Sequence, residues 1–231
     1  VNDETTTRNT RRPVRSFVRR EGRLTAGQQR ALERLYPRYG IKPGAGVIDL
    51  TTAFGREAPV VLDIGFGDGD ALAEMAQAHP ERSYLGIEVY RTGVGRLLRR
   101  LEEDGIDNVR VMDADAVAIL RQHIAPAGLA GVNLFFPDPW PKKRHHKRRM
   151  VQPEWLALVA SRLRPGGFLH LATDWENYAE HMLEVVSASP DFDNPHGGYA
   201  PDPGERPVTK FERRGRRKGH GVWDLIVYRT G

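Results

Sequence analysis

From residue 60 onward, short apolar runs alternate with stretches in which apolar positions recur every three or four residues. Runs of the buried-strand type fall at 60–65, 84–89, 109–112, 132–136, 168–172 and 223–228, with helical spacing at 70–78, 91–103, 116–123, 153–163 and 175–187. Continuous apolar strands separated by helices of about ten residues predict an α/β fold, with a parallel sheet covered on both faces. The pattern breaks near the end. Extended pieces at 207–211 and 222–228 follow a polar Pro/Gly loop at 190–205 with no helix between them. They predict a hairpin that places one antiparallel strand in the sheet. Upstream, residues 1–10 are polar and Thr-rich and are expected to be disordered. Residues 11–40 space apolar positions among arginines, with a short helix expected at 25–36 and Thr25 as its cap. The organisation read from this is a basic arm over 1–40 and one catalytic-size domain over 41–231.

At 231 residues the chain is long enough to bury a continuous core without covalent staples. It has no cysteine, which excludes a disulfide framework and thiolate metal sites. No apolar stretch approaches the length of a membrane span and no signal-peptide pattern opens the chain, so a soluble, cytoplasmic protein is expected. The net charge of +5 is unevenly placed. Residues 1–35 hold nine arginines, Lys142–Arg149 hold six cations, and a third cluster runs from Arg213 to Lys218. Three such runs point to a polyanionic partner, because phosphate neutralisation is the usual work of clustered Lys and Arg.

The strand at 60–64 runs into Gly65-Phe66-Gly67-Asp68-Gly69 and then a helix. Glycines there let the chain turn sharply and bring its backbone against a ligand. Glu88 ends the next strand, 19 residues after Gly69, where a Rossmann-type site holds ribose hydroxyls. A dinucleotide loop would need glycine at position 70, which is Asp70 here. Asp63, Asp68 and Asp70 would also repel a pyrophosphate, whereas a cationic sulfonium is not repelled. The loop resembles that of class I methyltransferases, and the expected cofactor is S-adenosylmethionine. Asp115, after the third strand, is placed to accept from the adenine amino group. Asp113 reads equally well as a helix N-cap.

The run Phe136-Pro137-Asp138-Pro139-Trp140 closes an apolar strand with a carboxylate fixed between two prolines. It falls where ligands of open α/β sheets bind, and a nucleic-acid base edge is a natural partner. With Lys142-Lys143-Arg144-His145-His146-Lys147-Arg148-Arg149 it resembles the signature of bacterial tRNA (guanine-N7)-methyltransferases. The stretches from Arg15 to Thr25, from Ala172 to Glu176 and from Thr209 to Arg213 are similar to that family too. The resemblance covers roughly residues 11–230. It implies a Rossmann-like class I methyltransferase fold, with a mostly parallel seven-stranded sheet, helices on both faces and an antiparallel strand near the C-terminus. It also implies methyl transfer to N7 of guanine in the tRNA variable loop, at the position conventionally numbered 46. By matching motif, Asp63, Gly65, Gly67, Gly69, Glu88, Asp115 and Asp138 would hold the cofactor. Asp138 would also be catalytic, and Lys142, Asp174, Thr209, Lys210, Phe211 and Glu212 would contact tRNA. The family more often carries glutamate at the position of Asp63, one methylene longer.

Guanine N7 carries an in-plane lone pair and has no proton to lose, so positioning rather than a strong base is required. Asp138 and Asp174 are both candidates to orient the base. His145 and His146 lack metal-ligand spacing, and no metal is expected. Trp140 is open between base contact and packing, Trp155 and Trp223 read as core, and Arg96, Arg99 and Arg100 read as an exposed helix face. Monomer and homodimer are both compatible with the sequence. The alternative activity is methyl transfer to another RNA base or to a small molecule.

Overall fold

The structure, a computed structural model, describes residues 24–209, 212–213 and 221–231. The arginine-rich stretch before Leu24 lies outside the described residues, as do Lys210, Phe211, Arg214, Arg216, Arg217 and Lys218. Helix α1 (Ala26–Tyr39) starts at a reciprocal capping box between Thr25 and Gln28, which satisfies two end groups at once. A short α2 (Leu50–Phe54) is capped by Asp49. The repeating unit then begins with β1 (Val60–Ile64), α3 (Asp70–Ala78) and β2 (Ser83–Glu88). It continues through α4 (Arg91–Glu103), β3 (Val109–Asp113), α5 (Ala116–His123) and β4 (Leu129–Phe135). After a 3-10 turn at Lys143–Arg148 come α6 (Pro153–Arg162), β5 (Leu163–Thr173) and α7 (Glu176–Ser187). Two strands close the chain, β6 (Phe192–Asp193) and β7 (Trp223–Arg229).

The seven strands form one sheet in the order β3-β2-β1-β4-β5-β7-β6. β1 to β5 are parallel, and β7 runs antiparallel to both β5 and β6. Because side chains alternate along a strand, β1 feeds both cores. Leu62 and Ile64 join the layer under α5, α6 and α7, while Val61 joins the layer under α1, α3 and α4. Within that second layer α1 sits on α4, with Ala31, Leu32 and Leu35 among the buried side chains. The chain leaves β1 toward β2 and β3, then returns to its other side with β4. That reversal opens a crevice beyond the carboxyl ends of the strands, where ligands of such sheets bind.

The partner of the C-terminal strand is not where the hydrophobic pattern predicted it. Among the described residues, 207–209 form no strand, and β6 at 192–193 takes the antiparallel pairing with β7. Val208 and Thr209 instead line the crevice.

Candidate functional site

The crevice holds two lobes that share Gly65, Gly67, Asp68, Phe135 and Phe136. One, of about 360 Å³, is walled by Glu88, Asp115, Pro137 and Asp138. The other, of about 290 Å³, is walled by Asp63, Gly69, Arg100, Val208, Thr209 and Arg213. Together they reach the size usual for small-molecule sites.

Glu88 closes β2 and clamps the glycine loop. Its Oε2 accepts from the Gly67 N–H at 2.8 Å, and its Oε1 from the N–H groups of Val89 and Tyr90 at 2.7 and 3.1 Å. An ionised carboxylate has about four acceptor sites, so these bonds leave room for roughly one ribose hydroxyl. Burial pushes the Glu88 pKa up and outweighs the opposing pull of the three donors. Asp63 is more extreme. It lies 3% exposed in the middle of the sheet, and burial, with Glu88 adding to it, raises its pKa to about 7. A cationic ligand in the adjoining lobe would restore its charge. Gly65 and Gly67 have φ of 73° and 59°, and a Cβ on either would meet nothing within 4 Å. The backbone here forms an open cradle that any side chain would fill, which fits an adenosyl cofactor lying against it.

Asp115 caps α5, with Oδ1 accepting from Val117 and Ala118 N–H at 2.9 and 3.4 Å. The cap considered for Asp113 thus falls on Asp115, and Asp113 pairs with Arg91 at 3.4 Å instead. Asp138 sits exposed on the rim of the larger lobe. The loop that carries it is bracketed by two left-handed residues, Phe136 at φ 51° and Trp140 at φ 45°. Such backbone persists only where the surroundings impose it. Here Arg149 does so. Arg149 is 3% exposed, and its guanidinium donates to the Pro139 carbonyl at 3.0 Å and to Asn177 Oδ1 at 2.8 Å, above the Tyr178 ring.

Arg149 is therefore a structural bolt rather than a surface cation of the basic run. Trp140 lies under the Arg148 guanidinium at 4.8 Å and against the His145 ring at 5.9 Å, so packing accounts for its position. The exposed helix face expected of Arg96, Arg99 and Arg100 holds for Arg96 and Arg99, whereas Arg100 is half-buried. Arg96 pairs with Asp68 at 3.2 Å, and Arg100 pairs with Asp70 at 3.1 Å and lines the smaller lobe. These cations offset the acidic loop. Trp155 is core, whereas Trp223 is only half-buried.

Of the expected substrate contacts, Thr209 lines the smaller lobe, and Lys142 is exposed at the start of the 3-10 turn. Asp174 is half-buried at the end of β5 and lines neither lobe. Glu212 is 1% exposed, with its carboxylate turned to Arg206 at 2.6 Å. Arg206, His170 and Asp224 form a buried polar set that the sequence reading missed. Its signal was there, since His170 and Asp224 interrupt otherwise apolar strands. Among the described residues no cluster of metal-ligating side chains occurs, and no helix is long and apolar enough to cross a membrane.

The same architecture is found in the crystal structure of the 16S rRNA methyltransferase KamB, with a TM-score of 0.59 at 17% identity. The match covers 84% of this chain and 99% of that one. An rRNA methylase from Streptococcus thermophilus matches at 0.52 and 13% identity over 91% and 100% of the two chains. Fold and cradle together define a Rossmann-like class I methyltransferase, which takes S-adenosylmethionine as its cofactor. Residues 57–225 match the family described as "Putative methyltransferase". The tRNA (guanine-N(7)-)-methyltransferase of Alkalilimnicola ehrlichii is 65% identical, over 93% of this chain and 92% of its own. That of Halorhodospira halophila is 61% identical, over 93% and 94%. The chain belongs to the tRNA (guanine-N7)-methyltransferase family.

Proposed function

We propose that this enzyme methylates N7 of a guanine in tRNA, in the variable loop at position 46, acting in the cytoplasm. The single observation that carries the reading is Asp138. It is held between Pro137 and Pro139 on the rim of the cofactor lobe, with exposed cations from Lys142 onward immediately beyond.

Bound S-adenosylmethionine supplies an electrophilic methyl carbon on a cationic sulfur. The chain's own residues have three tasks. Glu88 and Asp115 flank the larger lobe and suit the ribose hydroxyls and adenine of the cofactor, while Asp63 in the smaller lobe suits its cationic end. Lys142 and the exposed cations after it hold tRNA phosphates, and Thr209 lines the approach to the smaller lobe. Asp138 accepts from the guanine N1–H or amino group, which aims N7 and favours the positive charge that develops on the purine. N7 has no proton to remove, so alignment supplies most of the acceleration. Asp174 is the second candidate for this role, but it lines neither lobe, which favours Asp138. Of the 1–40 arm, the described helix α1 is packed on α4, and the arginines before Leu24 lie outside the described residues.

Asp138→Asn keeps the side chain's size and removes its charge. Single-turnover methyl transfer to unmodified tRNA is expected to fall about 100-fold or more with the melting temperature unchanged. A rate near that of the unaltered enzyme would remove Asp138 from the mechanism.

A further inference from the structure

Behind the smaller lobe lies a buried charge cluster for which the reaction above has no use. Arg206 is 1% exposed on its side chain and reaches in two directions. Its Nε and Nη2 donate to Asp224 Oδ1 and Oδ2 of β7, both at 2.7 Å, a fork-on-fork pair. Its Nη1 donates to Glu212 Oε2 at 2.6 Å and to the Pro207 carbonyl at 3.3 Å. On the sheet side, Asp224 Oδ1 lies 2.8 Å from His170 Nε2, and the His170 ring packs edge-on against Phe135. The guanidinium also lies 5.3 Å from the centre of the Phe136 ring.

We propose that Arg206 is a positioning residue for methyl transfer: through Glu212 it fixes Thr209 and Arg213 at the wall of the lobe, and it holds the Phe136 ring from which the Asp138 loop departs. The inference rests on the reading of this cavity as the methyltransferase site. These residues are tied to one another, with Glu212 N–H donating to Thr209 Oγ1 at 3.1 Å and Arg213 N–H to the Thr209 carbonyl at 3.0 Å. Arg206 joins them to the sheet through Asp224. A buried ion cluster of this kind is a weak source of net stability, since apolar replacements often do as well. What the planar fork supplies is a fixed geometry that a lysine cannot reproduce. Thr209 and Phe136 both wall the cavity, so a loosened fork shifts one wall against the other. Misplacement of about 1 Å is worth on the order of 100-fold in rate.

The test compares Arg206→Lys, Glu212→Gln, their double variant and a packing control, Leu225→Ala, which alters the apolar core through β7 and touches no lobe. At a temperature where all are folded, saturating kcat on unmodified tRNA is read with KM for tRNA and Tm. Arg206→Lys is expected to lower kcat at least 30-fold with KM within threefold. Leu225→Ala is expected to lower Tm as much or more and keep kcat within twofold. The double variant should lose no more than the worse single one, because the two side chains act as a unit. The proposal is overturned if Arg206→Lys stays within threefold of the unaltered kcat. It is equally overturned if losses track Tm across all variants, or if the two single losses multiply. Should Arg206→Lys not fold, Glu212→Gln, which leaves the Arg206–Asp224 fork in place, carries the same comparison against Leu225→Ala. An unaltered enzyme that methylates no tRNA at all would instead fail the underlying reading of the site.

Discussion

Asp63 occupies a strand position with β2 on one side and β4 on the other, in register with Gly86 and Asn133. Nothing cationic among the described residues neutralises it, and its carboxyl is raised to about 7, by burial first and Glu88 second. Below about pH 4 the folded and unfolded chains both hold this proton. Between about 4 and 7 only the folded chain does, so stability falls as pH rises through that window and then levels. The penalty at pH 8 is on the order of a few kcal/mol. Asp63→Asn should therefore be more stable than the unaltered cofactor-free protein at pH 8, with the gap shrinking toward pH 4, and should bind S-adenosylmethionine more weakly. Urea unfolding at the two pH values reads this, and a variant less stable at pH 8 would contradict it. Single carboxylates were legible where motif and strand end coincide, as at Asp63, Glu88 and Asp138. The destinations of Arg149 and Glu212 were not. Both sit in charged runs, and only tertiary packing decides which member of a run turns inward.

At the level of elements, the site depends on how closely α4 approaches the glycine loop. A Cβ at Gly93, in the first turn of α4, would lie 2.0 Å from the Gly67 carbonyl oxygen. Backbone cannot yield by that much, so Gly93→Ala should displace the loop and strain the Gly67-to-Glu88 hydrogen bond. The expected result is a loss of S-adenosylmethionine affinity of tenfold or more by calorimetry, with a stability cost of about 1–3 kcal/mol. Unchanged affinity would mean the loop tolerates movement. The helices α3, α4 and α5 and the strand cores stood out in the sequence because their faces are strongly periodic. The piece at 207–211 misled for a physical reason. Of its described residues, Val208 and Thr209 line a cavity instead of joining a sheet, and an alternating pattern does not distinguish the two. β6, with two residues, is too short for any periodicity to reveal.

The molecule as a whole presents opposite chemistries at one crevice. Carboxylates gather inside it at Asp63, Glu88 and Asp115 and on its rim at Asp138, while the exposed cations Lys142, Lys143, Arg144 and Lys147 follow the rim loop in the chain. A cationic cofactor is suited to the interior and a polyanionic acceptor to the outside, which orders the two partners without either being present. Together they lead to one product, 7-methylguanosine at a single tRNA position. This is checked by incubating the enzyme with methyl-labelled S-adenosylmethionine and tRNA lacking modifications, followed by nucleoside analysis. Label is expected in 7-methylguanosine and is expected to be lost when guanine 46 of the transcript is replaced. Label in another nucleoside, or the same yield from the replaced transcript, would contradict it.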